Sequence, residues 1–410
     1  MPPNGPAAAS PSRLPAAAGT VATDLYAFDV PEEPFIQERA AAWAETMGGF
    51  DAAGALRSAH EGSRAKIGAV TPLRREAREE LEDRLLAPGA TRARGGGARL
   101  RPEAPDEFRT AFERDRDRVL HSPAFRRLAG KTQVFVFPRD HQRTRLTHAL
   151  EVAQVARSLA ASLGLNVALA EAIALGHDCG HGPGGHASED AFTPYLEGGF
   201  DHAVFGADVA LASLNLTAEV ADGIRNHSWS RPAPRTPEGE VVSWADRIAY
   251  VCHDFEDAVS AGVVAAGELP AVVRERCGSR RSDQLGAFVD ALVTTSAAAG
   301  EVLMPAPLAD GLAEFRRFNY ERVYLREESV AQAASVIAVL RALVEYFASR
   351  PQAMAGALPA DADDTARTTA AVSYVAGMTD RYAFDLAVER LGWPIARLPR
   401  GVDVPGGRRA

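Results

Sequence analysis

The stretch VALAEAIALGHDCGHGPGGHASEDAF (167–192) decides how this chain is read. Its first ten residues are apolar apart from Glu171 and read as a buried helix. His177 and Asp178 stand at the C-terminal end of that helix. Such a pair offers an imidazole nitrogen and a carboxylate oxygen, both good ligands for a first-row metal ion. Gly180, Gly182, Gly184 and Gly185 then break the helix, and glycine lets backbone approach a ligand closely. His186 lies just beyond them. Glu189 follows on the first turn of the next helix, within reach of His186.

Upstream, RTRLTHALEVAQVARSLA (143–160) reads as a second helix. His148, Val152, Val155 and Leu159 recur at i, i+4, i+7 and i+11, so His148 points inward with the core stripe. Arg145 precedes it on the same side. Downstream, within 243–259, Asp246, Tyr250, His253, Asp254 and Asp257 form one continuous ionisable face. Ile248, Val251, Cys252, Phe255 and Val259 form a second, apolar stripe. A solvated face mixes in Lys, Arg or Gln; this one is acid plus Tyr and His, which suits a site that holds a cation. His148, His177, Asp178 and Asp246 together supply two imidazoles and two carboxylates. That set suits one divalent ion: Mn, Fe, Co, Ni or Zn, and less well Mg. Such an ion makes hydroxide available near neutral pH.

Composition is that of an ordinary globular protein. The chain has 410 residues, a net charge of -9, 46% apolar and 24% charged residues, which excludes collagen-like, coiled-coil and wholly disordered readings. Cys179, Cys252 and Cys277 have no paired spacing, so a reducing, cytoplasmic compartment is expected. Neither a secretory signal nor an apolar run of membrane-spanning length is evident. Only His60 lies outside the window His121–His253, which concentrates the chemistry there. Positive charge is almost all arginine, the only lysines being Lys66 and Lys131.

Residues 1–20 are Pro/Ala/Ser-rich and read as a disordered tail. Residues 21–105 read as a helical N-terminal extension, with helix expected over 32–86, closed by a Gly-rich loop. Residues 106–263 form the catalytic core, 264–391 a C-terminal helical part of the same domain, and 392–410 a flexible tail. QVFVF (133–137) is the best strand candidate. Further helices are expected at 187–197, 202–216, 217–227, 309–322, 328–349 and 367–391. The fold class is mainly α.

The order H…HD…D resembles the signature of HD-domain phosphohydrolases. RRLAGKTQVF (126–135), the two segments 143–160 and 177–192, NH (226–227), DRIAYVCHDFEDA (246–258) and YVAGMTDRYAFDL (374–386) are similar to blocks of the deoxyguanosine triphosphate triphosphohydrolase family, in family order over about 106–390. The resemblance implies an HD-domain phosphohydrolase fold with helical elaborations. It implies hydrolysis of a dNTP to deoxynucleoside and inorganic triphosphate. It assigns the metal to His148, His177, Asp178 and Asp246, and catalysis to His186 with Glu189 as its carboxylate partner. Gln133 falls near the sugar 3′-hydroxyl, Arg145 and His181 near the phosphates, Tyr250 and Asp254 near sugar or phosphate, and His202 on a further active-site histidine. It also implies a homo-oligomer and, for some members, a nucleotide effector or single-stranded DNA. Expulsion of a nucleoside 5′-oxygen needs a general acid, and a carboxylate at Glu189 is expected to orient His186 and raise its pKa. Two alternatives stay open: another HD nucleotide phosphohydrolase, such as a nucleotidase or phosphodiesterase, and a nucleotide- or single-strand-binding regulator.

Overall fold

The computed structural model describes residues 34–46, 48–52, 54–355, 358–359 and 361–400. The expected tail at 1–20 lies outside them, as do residues 401–410 of the expected C-terminal tail. The chain divides into two units, 1–71 and 72–410.

In the first unit, helix α1 (Pro34–Thr46) is followed by an antiparallel pair, β1 (Phe50–Asp51) and β2 (Arg57–Ser58), tied by an Asp51–Arg57 ion pair. Residues 59–74 are irregular, so the helix expected over 32–86 is two separate pieces.

The second unit opens with α2 (Arg75–Leu85), α3 (Ala111–His121) and α4 (Pro123–Arg127). Thr110 and Glu113 close a reciprocal capping box that starts α3. The central layer is α5 (Arg145–Ser162), α6 (Val167–Gly176), α7 (Ala187–Phe192), α8 (His202–Phe205), α9 (Ala218–Asn226) and α10 (Pro237–Ser260). Asn166 caps α6 through Leu169 N, and Thr236 caps α10 with Pro237 at its first position. The remainder is α11 (Ala271–Cys277), α12 (Arg281–Ala299), α13 (Ala306–Asn319), α14 (Glu327–Ser349), α15 (Asp364–Ala376) and α16 (Asp380–Leu391). The mainly helical expectation holds.

Three apolar clusters carry the unit. One packs α3, α5, α6, α9 and the start of α10 around Phe112, Val152, Leu159, Ile173 and Ile224. A second joins α14, α15 and α16 through Val336, Leu340, Val375 and Phe384. A third joins the end of α10 to α11, α12 and α13 through Val251, Phe255, Phe288 and Phe315. By length and composition α14 could cross a membrane; here Val336, Val339, Leu340, Leu343, Val344 and Phe347 are its buried side.

Several local expectations are corrected. QVFVF (133–137) is a series of bends, not a strand; the nearest pairing is a single bridge between Thr132 and Thr144. Its side chains diverge instead of alternating about one sheet: Phe135 enters the third cluster and Val136 the second. The helix expected at 202–216 is α8 followed by a π turn at 206–210 and a 3-10 turn at 212–214. The helix expected at 367–391 breaks at 377–379 into α15 and α16. Helix α12 was not anticipated at all.

Candidate functional site

Helices α5, α6 and α10 pack on one another and bring the four expected ligands together. His148, His177 and Asp178 are buried, at 2%, 0% and 3% exposure. His148 Nε2 lies 3.1 Å from Asp246 Oδ1, and His177 Nε2 lies 3.6 Å from both Asp246 Oδ1 and Asp178 Oδ1. One ligand atom each from His148, His177 and Asp246 falls within 4.8 Å of the others. His177 Nδ1 donates to the Ala174 carbonyl at 2.6 Å, which leaves Nε2 as a buried acceptor facing the cluster with no hydrogen-bond partner among the described residues. A ligating histidine is oriented in this way through its other nitrogen. The donor set therefore fits a divalent cation.

His148, Asp178 and Asp246 line a cleft of about 900 Å³, with His177 behind them. Gln133, Arg145, His181, His186, Glu189, His202, Tyr250 and Asp254 line it, so every expected substrate or catalytic residue reaches this one space. Arg145 is 1% exposed and donates to Asp178 Oδ2 at 2.5 Å, while its Nε and Nη2 have no partner among the described residues. Gln133 Oε1 is likewise unpartnered. The ionisable stripe of α10 divides. Asp246, Tyr250 and Asp254 face the cleft, whereas Asp257 takes Arg143 at 2.5 Å and His253 lies 3.2 Å from Glu151.

The charges are strongly coupled. Burial would raise Asp178, but Arg145, His177 and His181 hold it well below the usual carboxylate range. Burial likewise opposes the lowering of Asp246, which its hydrogen bond to His148 and the nearby His177 nonetheless impose. Burial pushes Asp254 up to about 7, although Tyr324 donates to it at 2.5 Å.

The expected pairing of His186 with Glu189 is corrected. Glu189 Oε1 instead accepts from the backbone N of His202 at 3.0 Å and meets His202 Nδ1 at 2.6 Å. Helix-turn spacing pointed only to His186, whereas the Asp201-capped start of α8 brings His202, 13 residues on, against Glu189. Burial opposes it, but this contact raises His202 and lowers Glu189 to about 2. His186 moves opposite to expectation. Its outer edge is open to the cleft, yet enclosure, then Arg145 and His202, lower it to about 4. His181 stacks on His202 with ring centroids 3.8 Å apart, and His186 meets His181 edge-on at 4.8 Å.

Sequence reading assigned no role to His227, Trp229 or Arg247, and left Arg316 and Arg326 as candidates for the phosphate tail or a subunit contact. His227 Nε2 lies 3.3 Å from His202 Nε2, and its ring lies 5.0 Å from that of His177. The signal was present, since Val220, Ile224 and His227 share one face of α9 and the turn that follows it. Trp229 holds the Arg247 guanidinium 3.7 Å from its ring centroid. Arg316 donates to Tyr250 Oη at 2.7 Å and Tyr320 Oη at 3.1 Å. Arg326 also lines the cleft, whereas Arg317 pairs with Glu314 and Arg322 with Glu268.

This fold and cleft define an HD-domain phosphohydrolase. The HD domain family matches residues 145–251 and the phosphohydrolase-associated domain matches 302–389. The chain belongs to the deoxyguanosinetriphosphate triphosphohydrolase-like family. A member from Caldanaerobacter subterraneus subsp. tengcongensis is 42% identical over 75% of this chain and 93% of its own length. Members from Clostridium perfringens and Desulfatibacillum aliphaticivorans are 40% and 38% identical, over 69% and 75% of this chain and 87% and 95% of their own. A solved hypothetical protein from Aquifex aeolicus matches with a TM-score of 0.40 and 17% identity, over 67% of this chain and 71% of its own.

Proposed function

We propose that the chain is a metal-dependent dNTP triphosphohydrolase. The observation that carries this is the His148, His177 and Asp246 triad, with Asp178 3.6 Å from His177, beside a nucleotide-sized cleft whose arginines offer unpartnered or aromatic-held donors. His148, His177, Asp178 and Asp246 would hold the ion. When bound, a divalent ion supplies Lewis acidity and eases deprotonation of the attacking water.

The remaining steps belong to this chain's own side chains. Arg145, with two free donors, binds phosphate oxygens, and Arg247 and Arg316 neutralise the rest of a tail carrying nearly four negative charges. Gln133 and Tyr250 orient the sugar. Water attacks the α-phosphorus, the bond from phosphorus to the 5′-oxygen breaks, and that oxygen takes a proton. Deoxynucleoside and inorganic triphosphate result. His186 is the proton donor. Enclosure, then Arg145 and His202, lower its pKa to about 4, and a polyanion beside Arg145 opposes the Arg145 part of that shift. Glu189 acts on His202, which stacks on His181 and keeps the histidine group ordered.

The test is incubation of the purified protein with each dNTP and several divalent ions, followed by product identification. Tripolyphosphate with free deoxynucleoside is expected. Orthophosphate or a monophosphate would place the chain among other HD nucleotide phosphohydrolases, and nucleotide binding without turnover would make it a regulator.

A further inference from the structure

Asp380 opens α16 and is 4% exposed, yet it does not line the cleft. Its Oδ1 accepts from Gly184 N at 2.8 Å, and its Oδ2 accepts from Thr132 N at 3.0 Å and Thr132 Oγ1 at 2.6 Å. Beside it, the buried Lys131 Nζ donates to two carbonyls, that of His181 and that of Ala376, the latter at 3.0 Å. Asp380, 196 positions away in sequence, and Lys131, 50 positions away, thus hold the two ends of the segment 181–184. The segment has little slack. Gly184 and Gly185 have φ of +73° and +64°. A Cβ on Gly184 would lie 2.4 Å from Val336 Cγ1, and one on Gly185 would lie 2.8 Å from Arg145 Nη2. Lysine suits the grip in a chain that otherwise uses arginine, because a compact ammonium fits between two carbonyls where a planar fork does not.

We infer that Asp380, through Thr132 and Gly184 and backed by Lys131, is a positioning group that sets the glycine loop and hence His186 and Arg145. This rests on the function proposed above. It gives the block YVAGMTDRYAFDL a role at the reaction centre without contact to substrate. Misplacement of a catalytic group by about 1 Å costs roughly a hundredfold in rate.

The test compares the full-length wild type with Asp380→Asn, Thr132→Val and Thr132→Ser. Each is read for kcat, KM, metal content, melting temperature and amide exchange across 181–188. Asp380→Asn and Thr132→Val are expected to lower kcat about 10- to 100-fold, with KM within about threefold and metal content unchanged. Exchange should quicken at Gly184. Thr132→Ser keeps the hydroxyl and should return most of kcat and protection. A folded Thr132→Val protein with wild-type kcat and exchange would overturn the inference. So would a loss of rate that only tracks melting temperature or metal content. Should the wild type fail to hydrolyse dNTPs, the functional reading falls, and exchange at Gly184 still decides whether the grip exists.

Discussion

The two walls of the cleft are built on different principles. On the wall from α5, α6 and α10, ionisable groups face one another: His148 with Asp246, His177 with Asp178, Arg145 with Asp178. On the wall from α13 and α14, Arg316 rests on phenol oxygens, Arg326 bonds the Ser329 hydroxyl, and Val330, Ala333, Val336 and Ile337 are apolar. Buried charges persist only when paired or ligating. The first wall therefore has the donor set that could hold a cation, as proposed above. The second leaves cationic donors and apolar surface for a ligand that brings its own charge and its own apolar body.

That division predicts separable defects. The largest is expected on the first wall. Asp246→Ala removes one carboxylate of the set and should empty the metal site and reduce turnover to background, with metal content read by elemental analysis. Retention of stoichiometric metal would show that Asp246 is no ligand. His186→Ala, between the walls, should keep metal and nucleotide binding while kcat falls about 10²- to 10⁴-fold. Loss of metal in that protein would contradict its role. On the second wall, Arg316→Ala should act mainly on KM. A hydrogen bond to a charged group contributes about 1.5–3 kcal/mol, so KM should rise roughly 10- to 150-fold. An equal fall in kcat at saturation would erase the distinction between the walls.

The first wall was legible in the sequence and the second largely was not, for physical reasons. His148 and Asp246 lie on long regular helices, where 3.6-residue spacing reports which side chains share a face. His177 and Asp178 close a helix whose apolar run marks it as buried. The second wall is assembled from interruptions. A π turn at Tyr320–Tyr324, closed by Leu325 N donating to Tyr320 O at 2.9 Å, carries Tyr320 and Tyr324 to the cleft. Such bulges leave no periodic signature, although they gather at functional sites. QVFVF misled because β-branched and aromatic residues suit a strand, while its side chains serve two different cores here. Glu189 was placed on the correct turn, but its partner His202 lies 13 residues on in another helix, where spacing carries no signal. Asp380 lay inside a recognised block, and only long-range contacts disclose what it holds.

The smallest expected effect concerns Lys131, at the seam where the glycine loop meets α15 and α16. Burial, then Arg127, lowers its pKa from 10.5 to about 7, with Asp380 opposing. Below pH 7 the lysine is protonated in both folded and unfolded chains. Between about 7 and 10.5 the unfolded chain binds the extra proton, so this group makes stability rise with pH. The slope approaches about 1.4 kcal/mol per pH unit at most. Lys131→Met cannot titrate, so whatever its absolute stability, its urea-unfolding free energy should climb less steeply from pH 7.5 to 9.5 than that of the wild type. Equal slopes would mean that Lys131 keeps an ordinary pKa. In that case its ammonium would be charged throughout this range, and the bonds to the His181 and Ala376 carbonyls, together with Asp380, would have to offset the whole cost of burying it.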